Sequence, residues 1–270
     1  MPTLEELLRA SALPAREARI LLAHGLGISH ATLAAHPERV IEAARAAEIE
    51  MAFARRRAGE PVAYITGERE FYGFALNVTP SVLIPRPETE LLVELALARL
   101  HEGERLLDLG TGSGAIAIAL ALSRPALEVS ACDASPEALE IARENAARLG
   151  AKLRLIQSDW FSALEGERFH AIVANPPYIA SGDPHLAQGD LRFEPRHALE
   201  AGPSGLEAIA AIVAAAPIHL LPGGWIAIEH GYDQGPACER LLREAGFIEV
   251  SDHTDLAGLP RVVIGRRDGF

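Results

Sequence analysis

The sequence predicts an α/β fold: a mostly parallel, seven-stranded sheet covered by helices and preceded by a small helical domain. Two observations lead to this prediction. From residue 104 onward, short apolar runs alternate with longer helical patterns, an order that produces parallel strands joined by helices. Before about residue 58 the pattern is helical only. A chain of 270 residues, 49% of them hydrophobic, is long and apolar enough for both parts.

Residues 1–60 are predicted to form the helical domain. Thr3 and Glu6 have the spacing of a capping box ahead of the first helix, and Pro14 and Pro37 are expected to begin the second and third. Three consecutive arginines lie in the last turn of the third helix: Arg55, Arg56 and Arg57. They either interact with the negative end of the helix dipole or offer a contact patch to an acidic partner or RNA.

Residues 61–86 are expected to form a β-hairpin linker, because short β-rich runs there alternate with Gly67 and Gly73. A proline-rich loop follows, and we expect a helix over residues 88–101 at the start of the sheet domain, residues 87–270. Within this loop, Arg86 and Glu88 are candidates for shaping a substrate pocket. For Glu88, a local salt bridge or support of the helix N-terminus is the alternative.

Strands and helices alternate through the sheet domain. The predicted strands cover residues 105–109, 127–132, 153–157, 171–174, 225–229, 247–250 and 262–265. The predicted helices between them cover residues 115–122, 136–149, 206–216 and 236–245. The connection between Tyr178 and Glu207 is long for such a fold, and long connections without regular structure usually serve function.

A glycine-rich loop, Asp108-Leu-Gly-Thr-Gly-Ser-Gly114, follows the first predicted strand and opens a helix. Glycine lets the backbone turn sharply and approach a bound nucleotide closely. Asp133, at the end of the second strand, suits the two hydroxyls of a ribose. Both features fit NAD as well as S-adenosylmethionine, because Gly110, Gly112 and Ala115 also satisfy the Ala-ended dinucleotide pattern. An NAD-dependent oxidoreductase is therefore an open alternative at this point.

Two acidic residues favour S-adenosylmethionine over NAD. The carboxylate of Asp108 can reach the amino group of a methionine moiety, whereas it would repel a pyrophosphate. Asp159 follows the third strand, where it can accept a hydrogen bond from the amine of adenine while Trp160 packs nearby or donates its backbone N–H. Structural interpretations remain open: Asp108 as a helix-capping acid, Trp160 as a core residue, and Asp133 as a helix cap, for which Ser135 is the better candidate.

The tetrapeptide Asn175-Pro-Pro-Tyr178 ends the fourth strand, at the sheet edge where α/β proteins bind ligands. The side-chain oxygen of Asn175 and the carbonyl of Pro176 can both accept hydrogen bonds from a substrate –NH₂, while Pro177 fixes the backbone. Tyr178 can stack on the planar group. Such a grip turns a weakly nucleophilic amide or amino nitrogen towards a sulfonium methyl and strengthens as positive charge develops. We therefore predict methyl transfer to a planar nitrogen, and an adenine or guanine amino group fits this chemistry too.

The overall composition limits the kinds of partner and cofactor that we expect. A net charge of −12 disfavours stable nucleic-acid binding, which is mostly phosphate electrostatics. Two cysteines, Cys132 and Cys238, and ten histidines without metal-like spacing predict neither a disulfide framework nor a metal site. No apolar run reaches the length of a membrane span and the N-terminus has no signal pattern, so we expect a cytoplasmic, soluble monomer.

Nearly the whole chain resembles the HemK (PrmC) family, the release factor glutamine methyltransferases. The segments that carry the resemblance are Pro61–Gly67 with Phe71–Gly73, Leu83–Glu90, Asp108–Gly114, Asn175–Tyr178, Phe193–Pro195, Glu229–Gly231 and Asp255–Gly258 with Arg261–Val262. One departure is visible: where the family commonly has Arg-Asp after the last glycine, this chain has Leu259-Pro260. That position is remote from the proposed chemistry.

The resemblance implies a Rossmann-like, class I methyltransferase domain that uses S-adenosylmethionine and releases S-adenosylhomocysteine. The implied substrate is the glutamine of the Gly-Gly-Gln loop of peptide chain release factors, methylated at N5, with the helical domain contacting the factor. By the same resemblance, residues Asn175 to Tyr178 hold the glutamine, and the cofactor is held by Gly110, Thr111, Gly112, Ser113, Gly114, Asp133, Trp160 and Asn175. Glu194 to Arg196 would brace the Asn-Pro-Pro-Tyr loop, and we interpret Glu229-His230 as structural.

Overall fold

The computed structural model describes residues 1–269. The chain divides into two compact units, one formed by residues 1–68 with residues 187–193, the other by residues 69–186 with the chain from residue 194 onward. The division after residue 68 falls between the boundaries predicted after residues 60 and 86. Residues 187–193 come from the long connection after Tyr178, and the sequence pattern does not predict their place in the helical unit.

The first unit is helical around a small apolar core. Its helices are α1 (Leu4–Ala10), α2 (Ala15–Leu26), α3 (His30–Ala35), α4 (Ala43–Arg57) and α5 (Val62–Thr66). The predicted capping box begins α1: the Thr3 hydroxyl accepts from the Glu6 N–H at 3.2 Å, and the Glu6 carboxylate accepts from the Thr3 N–H at 2.9 Å. The fully buried core residues include Leu4, Leu21, Leu22, Ile49 and Phe53.

The prediction that Pro37 begins a helix is wrong. Residues 37–41 run beside the start of α1, where the carbonyls of Pro37 and Arg39 accept from the N–H groups of Glu5 and Leu4 at 3.0 Å each. These bonds satisfy N–H groups that have no partner inside a helix's first turn. This pairing therefore holds residues 37–41 outside any helix, as a turn at residues 37 and 38 followed by a bridge at Val40, and α4 begins only at Ala43.

The three arginines at the end of α4 are all engaged within this unit. Arg56 lies between Glu17 of α2, at 2.7 Å, and Asp190, at 2.8 Å. Arg55 pairs with Glu60, and Arg57 donates to the carbonyl of Ser11 at 2.9 Å. These contacts tie α4 to its neighbours and to residues 187–193, a role beyond the expected interaction with the helix dipole.

The predicted linker, residues 61–86, is a hairpin only between residues 68 and 77. Strands β1 (Glu68–Phe71) and β2 (Phe74–Asn77) are joined at Tyr72 and Gly73, whose φ values of 50° and 78° match the left-handed conformation that tight hairpin turns need. Val62–Thr66 is helical instead of extended, which corrects the expectation for that stretch. Pro61 precedes this helix and Gly67 ends it with a φ of 75°, the usual start and stop residues of a helix.

The seven-stranded sheet of the second unit confirms the predicted fold class. After a 3₁₀ turn at Pro87–Thr89 and α6 (Glu90–Leu97), which is shorter than the predicted helix, the chain continues in strand–helix alternation. The strands are β3 (Arg105–Leu109), β4 (Glu128–Asp133), β5 (Arg154–Gln157), β6 (Phe169–Ala174), β7 (Leu220–Glu229), β8 (Phe247–Thr254) and β9 (Pro260–Arg267). The helices are α7 (Ala115–Ser123), α8 (Pro136–Leu149), α9 (Glu207–His219) and α10 (Gly235–Glu244).

The strand order is β5-β4-β3-β6-β7-β9-β8. All neighbours are parallel except β9, which runs antiparallel to both β7 and β8. The chain progresses from β3 towards β5 in one direction and from β6 towards β8 in the other, so the order reverses between β3 and β6. Ligands of such sheets bind at the carboxyl ends of the strands beside this reversal.

Both faces of the sheet are buried, as strands with continuous apolar runs require. Successive β3 residues alternate between two cores: Leu106 packs with α6 and α7, whereas Leu107 and Leu109 pack with residues of α9 such as Ile209 and Ile212. This packing holds the carboxyl ends of β3, β4, β5 and β6 in fixed register. Within residues 1–269, no helix combines the length and apolar composition needed to cross a bilayer.

Candidate active site

A cavity of about 280 Å³ lies at the carboxyl ends of β3 to β6. The predicted site residues on its wall are Arg86, Gly110, Thr111, Gly112, Ser113, Asp133, Asp159, Trp160, Asn175, Pro176 and Pro177. Four predicted residues lie off this wall: Asp108, Gly114, Glu88 and Tyr178. Sequence reasoning missed Thr89, Ser158 and His197, which also line the cavity. For Thr89 alone a signal existed, since it lies inside the proline-rich loop that carries the family resemblance.

The glycine-rich loop between β3 and α7 is held open by its own backbone. Gly110 and Gly112 have φ values of 70° and 55°, in the region that side-chain-bearing residues avoid. The N–H groups of Gly110 and Thr111 both donate to the carbonyl of Cys132 at 2.9 Å, which ties the loop to the end of β4. A Cβ added at Gly112 would meet no atom within 4 Å, so the loop is open at that point.

Asp133 is fixed by two backbone donors. Its Oδ2 accepts from the N–H of Gly112 and its Oδ1 from the N–H of Ser135, both at 2.9 Å. The cap of α8 is Ser135, whose hydroxyl accepts from the N–H of Ala138 at 3.1 Å, so the alternative role of Asp133 as a helix cap is wrong. The carboxylate therefore faces the cavity in one orientation, with lone pairs left for the hydroxyls of a sugar.

Asp108 lies directly behind the glycine-rich loop and is fully buried. Its Oδ2 accepts from the Thr111 hydroxyl at 2.7 Å, whereas Oδ1 has no hydrogen-bond partner among the described residues. Burial raises the pKa of this carboxyl to about 7, an increase that the Thr111 hydroxyl and the backbone N–H of Ala117 limit. Since an unpaired buried carboxylate is unfavourable, a cation brought to this loop would stabilise the ionised form.

Gly114 and Trp160 support the cavity in different ways. A Cβ at Gly114 would lie 2.9 Å from Cδ1 of Ile118 and 3.2 Å from Cβ of Ala142, so this glycine permits the close packing of α7 on α8. Trp160 adopts a φ of 46°, and its carbonyl accepts from the Ser158 hydroxyl at 2.8 Å. It lines the cavity and also packs on the core beneath, so its contact with the core is confirmed, while its contact with a bound adenine stays a prediction.

The Asn-Pro-Pro segment at the end of β6 lies on the cavity wall. The amide nitrogen of Asn175 donates to the Thr89 hydroxyl at 3.0 Å, which leaves the amide oxygen available as an acceptor. Tyr178 lies away from the wall. Its hydroxyl is 3.4 Å from Oε1 of Glu229, and burial raises its pKa well above the usual range. The expected stacking of Tyr178 on substrate stays a prediction.

Arg86 is held at the cavity by a buried carboxylate. Glu194 forms an ion pair with Arg86 and also accepts from the N–H of Ile84 at 3.1 Å. Glu194 is 4% exposed, so this pairing fixes the proline-rich loop firmly. Glu194, which was expected to brace the Asn-Pro-Pro-Tyr loop, therefore braces the loop that carries Arg86.

Across residues 1–269, no group of three or more His, Cys, Asp or Glu side chains could hold a metal ion.

Two sequence families match the chain in separate segments. Residues 3–67 match the family described as PrmC N-terminal domain, and residues 87–192 match the family described as Methyltransferase small domain. A release factor glutamine methyltransferase of Burkholderia pseudomallei is 52% identical over 276 residues, which cover 99% of this chain and 97% of that protein. A protein of the same description from Escherichia coli is 47% identical over 96% of this chain and 94% of its own length.

Solved structures match the fold. A methyltransferase from Pyrococcus furiosus superposes with a TM-score of 0.56 at 20% identity, covering 80% of this chain and 97% of that one. The 16S rRNA N2 G1207 methyltransferase of Thermus thermophilus, solved with AdoMet and guanosine, also gives 0.56, at 24% identity over 74% of this chain and 49% of its own. At these identities the likeness concerns the fold alone.

Proposed function

Since this chain belongs to the family of release factor glutamine methyltransferases, we propose that it transfers a methyl group from S-adenosylmethionine to N5 of the glutamine in the Gly-Gly-Gln loop of peptide chain release factors. The observation that carries the proposal is the place of Asn175 and Pro176 on the same cavity wall as the glycine-rich loop. Donor and acceptor groups can therefore meet in one cavity.

The residues around the glycine-rich loop fit S-adenosylmethionine, which supplies a methyl group on a positively charged sulfur. The open backbone at Gly112 allows close approach, and the fixed carboxylate of Asp133 suits the ribose hydroxyls. The unpaired Oδ1 of Asp108 favours a cationic ligand near Thr111. Asp159 and Trp160 would hold the adenine end. Membership of a methyltransferase family leaves the NAD alternative without support.

Asn175 and Pro176 would prepare the acceptor nitrogen. The Asn175 amide oxygen and the Pro176 carbonyl would each accept a hydrogen bond from one N–H of the glutamine amide. These two bonds would turn the face of the amide nitrogen towards the methyl group. The nitrogen lone pair would form the new N–C bond while the S–CH₃ bond of the donor breaks and leaves its electron pair on sulfur, and the nitrogen would then give up one of its protons to water. Its N–H groups become more acidic as this bond forms, so both hydrogen bonds strengthen in the transition state.

Methyl transfer from labelled S-adenosylmethionine tests the proposal. Parallel reactions contain an intact bacterial release factor, the same factor with its loop glutamine changed to alanine, total RNA, or duplex DNA. Label on the intact factor alone is the expected result. Label on RNA or DNA, or equal label on the alanine factor, would show that glutamine is not the acceptor. S-adenosylmethionine would remain the methyl donor.

A further inference from the structure

A buried carboxyl group lies behind the Asn-Pro-Pro-Tyr segment. Glu229 ends β7, the strand next to β6, and is 1% exposed. Strand β6 ends one residue before Asn175, and the register pairs Ala174 of β6 with Ile228 of β7. Asn175 and Glu229 therefore follow at equivalent positions of adjacent strands, at the edge of the sheet that carries the cavity.

Two side chains connect Glu229 to the transfer segment. The Tyr178 hydroxyl is 3.4 Å from Oε1 of Glu229, whereas Oε2 is buried with no hydrogen-bond partner among residues 1–269. The Thr89 hydroxyl, itself buried, is near enough to the carboxyl to lower its pKa, and it accepts from the amide nitrogen of Asn175 at 3.0 Å. Thr89 thus lies between Glu229 and Asn175.

The direction of the hydrogen bond at Thr89 decides which end of the Asn175 amide faces the substrate. An ionised carboxylate is an acceptor only, so it attracts the Thr89 hydroxyl proton and leaves the Thr89 oxygen to accept from Asn175. The amide oxygen then remains free to accept from a substrate N–H. A protonated Glu229 can donate to Thr89 instead. Thr89 can then donate to Asn175 and favour the flipped amide, whose –NH₂ cannot accept from the substrate.

We propose that Glu229 is a positioning residue for methyl transfer, and that its ionised form holds the Asn175 amide, through Thr89, with the oxygen towards the acceptor nitrogen. This inference rests on the proposed function. It gives a role to the Glu229-His-Gly231 segment, which the sequence indicates only as structural.

The groups around Glu229 set the pH at which its carboxyl changes protonation, and with it the orientation of the Asn175 amide. Burial raises its pKa to about 7, while Thr89, the Arg261 guanidinium and the Tyr178 hydroxyl lower it and the Glu88 carboxylate raises it. At saturating donor, turnover of the wild-type protein is therefore expected to rise with pH through about 7 and then level off. Saturating donor keeps the titration of Asp108, whose pKa is also about 7, from limiting turnover.

The test compares Glu229→Gln with wild type for methyl transfer to an intact release factor. Glutamine keeps the shape but stays neutral and can donate, so turnover is expected to fall about tenfold to hundredfold. The rise of turnover through pH 7 should disappear, while KM for the factor and the Kd for S-adenosylmethionine change less than about threefold. Unchanged turnover with an unchanged pH profile would overturn the inference.

A matched pair at Thr89 tests the same contact without touching the carboxyl. Thr89→Ser keeps the hydroxyl and should retain most turnover and the pH dependence, whereas Thr89→Val should behave as Glu229→Gln does. Because both changes break one connection, the double variant should lose little more than either single one. Equal activity of the Ser and Val variants would contradict the relay, even if Glu229→Gln failed to fold. A wild-type protein that labels no release factor would instead refute the proposed function.

Discussion

The backbone N–H of Gly112 donates to Oδ2 of Asp133 at 2.9 Å, and this bond joins the loop after β3 to the end of β4. The same carboxylate accepts from Ser135 at the start of α8. One side chain therefore sets the shape of the glycine-rich loop and is held in place by it. Replacing Asp133 should therefore weaken cofactor binding and disorder the glycine-rich loop at the same time.

Replacing Asp133 with alanine is expected to weaken S-adenosylmethionine binding about tenfold to hundredfold, because a charge-assisted contact to a sugar hydroxyl is lost and two N–H groups lose their partner. Calorimetric titration measures the effect. Glu128→Ala, an exposed carboxylate at the other end of β4, is the matched control and should bind normally. A Kd for Asp133→Ala equal to that of the control would remove Asp133 from the donor site.

Gly114→Ala should destabilise the fold by roughly 1–3 kcal/mol through overpacking, because its Cβ would lie 2.9 Å from Ile118. Backbone strain at a φ of 84° adds to this loss. Gly166→Ala is the control, since Gly166 has a similar positive φ of 75° but a Cβ there would meet nothing within 4 Å. Urea unfolding should show a clearly larger loss for Gly114→Ala; equal losses would mean that packing of α7 on α8 tolerates the methyl group.

Donor binding should depend on pH through Asp108. Its folded-state pKa of about 7 lies above the roughly 3.9 of an unfolded chain, so the folded state binds this proton more tightly. The free energy of unfolding of the ligand-free protein therefore falls as pH rises from about 4 to about 7. A cationic ligand favours the ionised carboxylate, so binding below about pH 7 should release a proton, and affinity should rise with pH.

Titrations of S-adenosylmethionine at several pH values, in two buffers with different ionisation enthalpies, measure this proton release. The Asp108→Asn variant should bind with little pH dependence over the same range. An unchanged dependence in that variant would assign the titration to another group. Glu229 is the other buried carboxyl with a pKa of about 7, and Glu229→Gln serves as the comparison.

Asn175→Ala should separate turnover from binding. Loss of one of two acceptors for the glutamine amide is expected to lower kcat about a hundredfold to a thousandfold, the scale of removing one group that stabilises developing charge. Donor affinity should fall only modestly, because the glycine-rich loop and Asp133 remain. Single-turnover kinetics with a release factor, with donor affinity measured on the same preparation, make the comparison. Wild-type turnover in this variant would refute the acceptor role.

The sheet and its site segments were predictable because their signals are local. Arg105–Leu109 carries three leucines and is followed directly by a glycine-rich loop, and Pro136 after Ser135 marks the start of α8 in the sequence itself. The parallel alternation then placed the ends of β3, β4 and β6 at one edge. Each of these inferences used residues within one element and its flanks.

The features that sequence reasoning missed depend on contacts between distant segments. Residues 37–41 stay outside a helix because they pair with the start of α1, and residues 187–193 join the helical unit through partners such as Arg56. Thr89 and Glu229 acquire their proposed roles only when β6, β7 and the proline-rich loop converge. No periodicity or capping pattern encodes such long-range pairs.

Peptide mass spectrometry can detect methylation of a release factor glutamine at N5 without an assumption about the site. A release factor isolated from a strain that lacks its own glutamine methyltransferase is incubated with this protein and S-adenosylmethionine, and its fragments are sequenced. We expect one added methyl group on the side-chain nitrogen of the Gly-Gly-Gln glutamine, and none with the Asn175→Ala variant in the same time. An unmodified glutamine, or a methyl group on another residue, would contradict it.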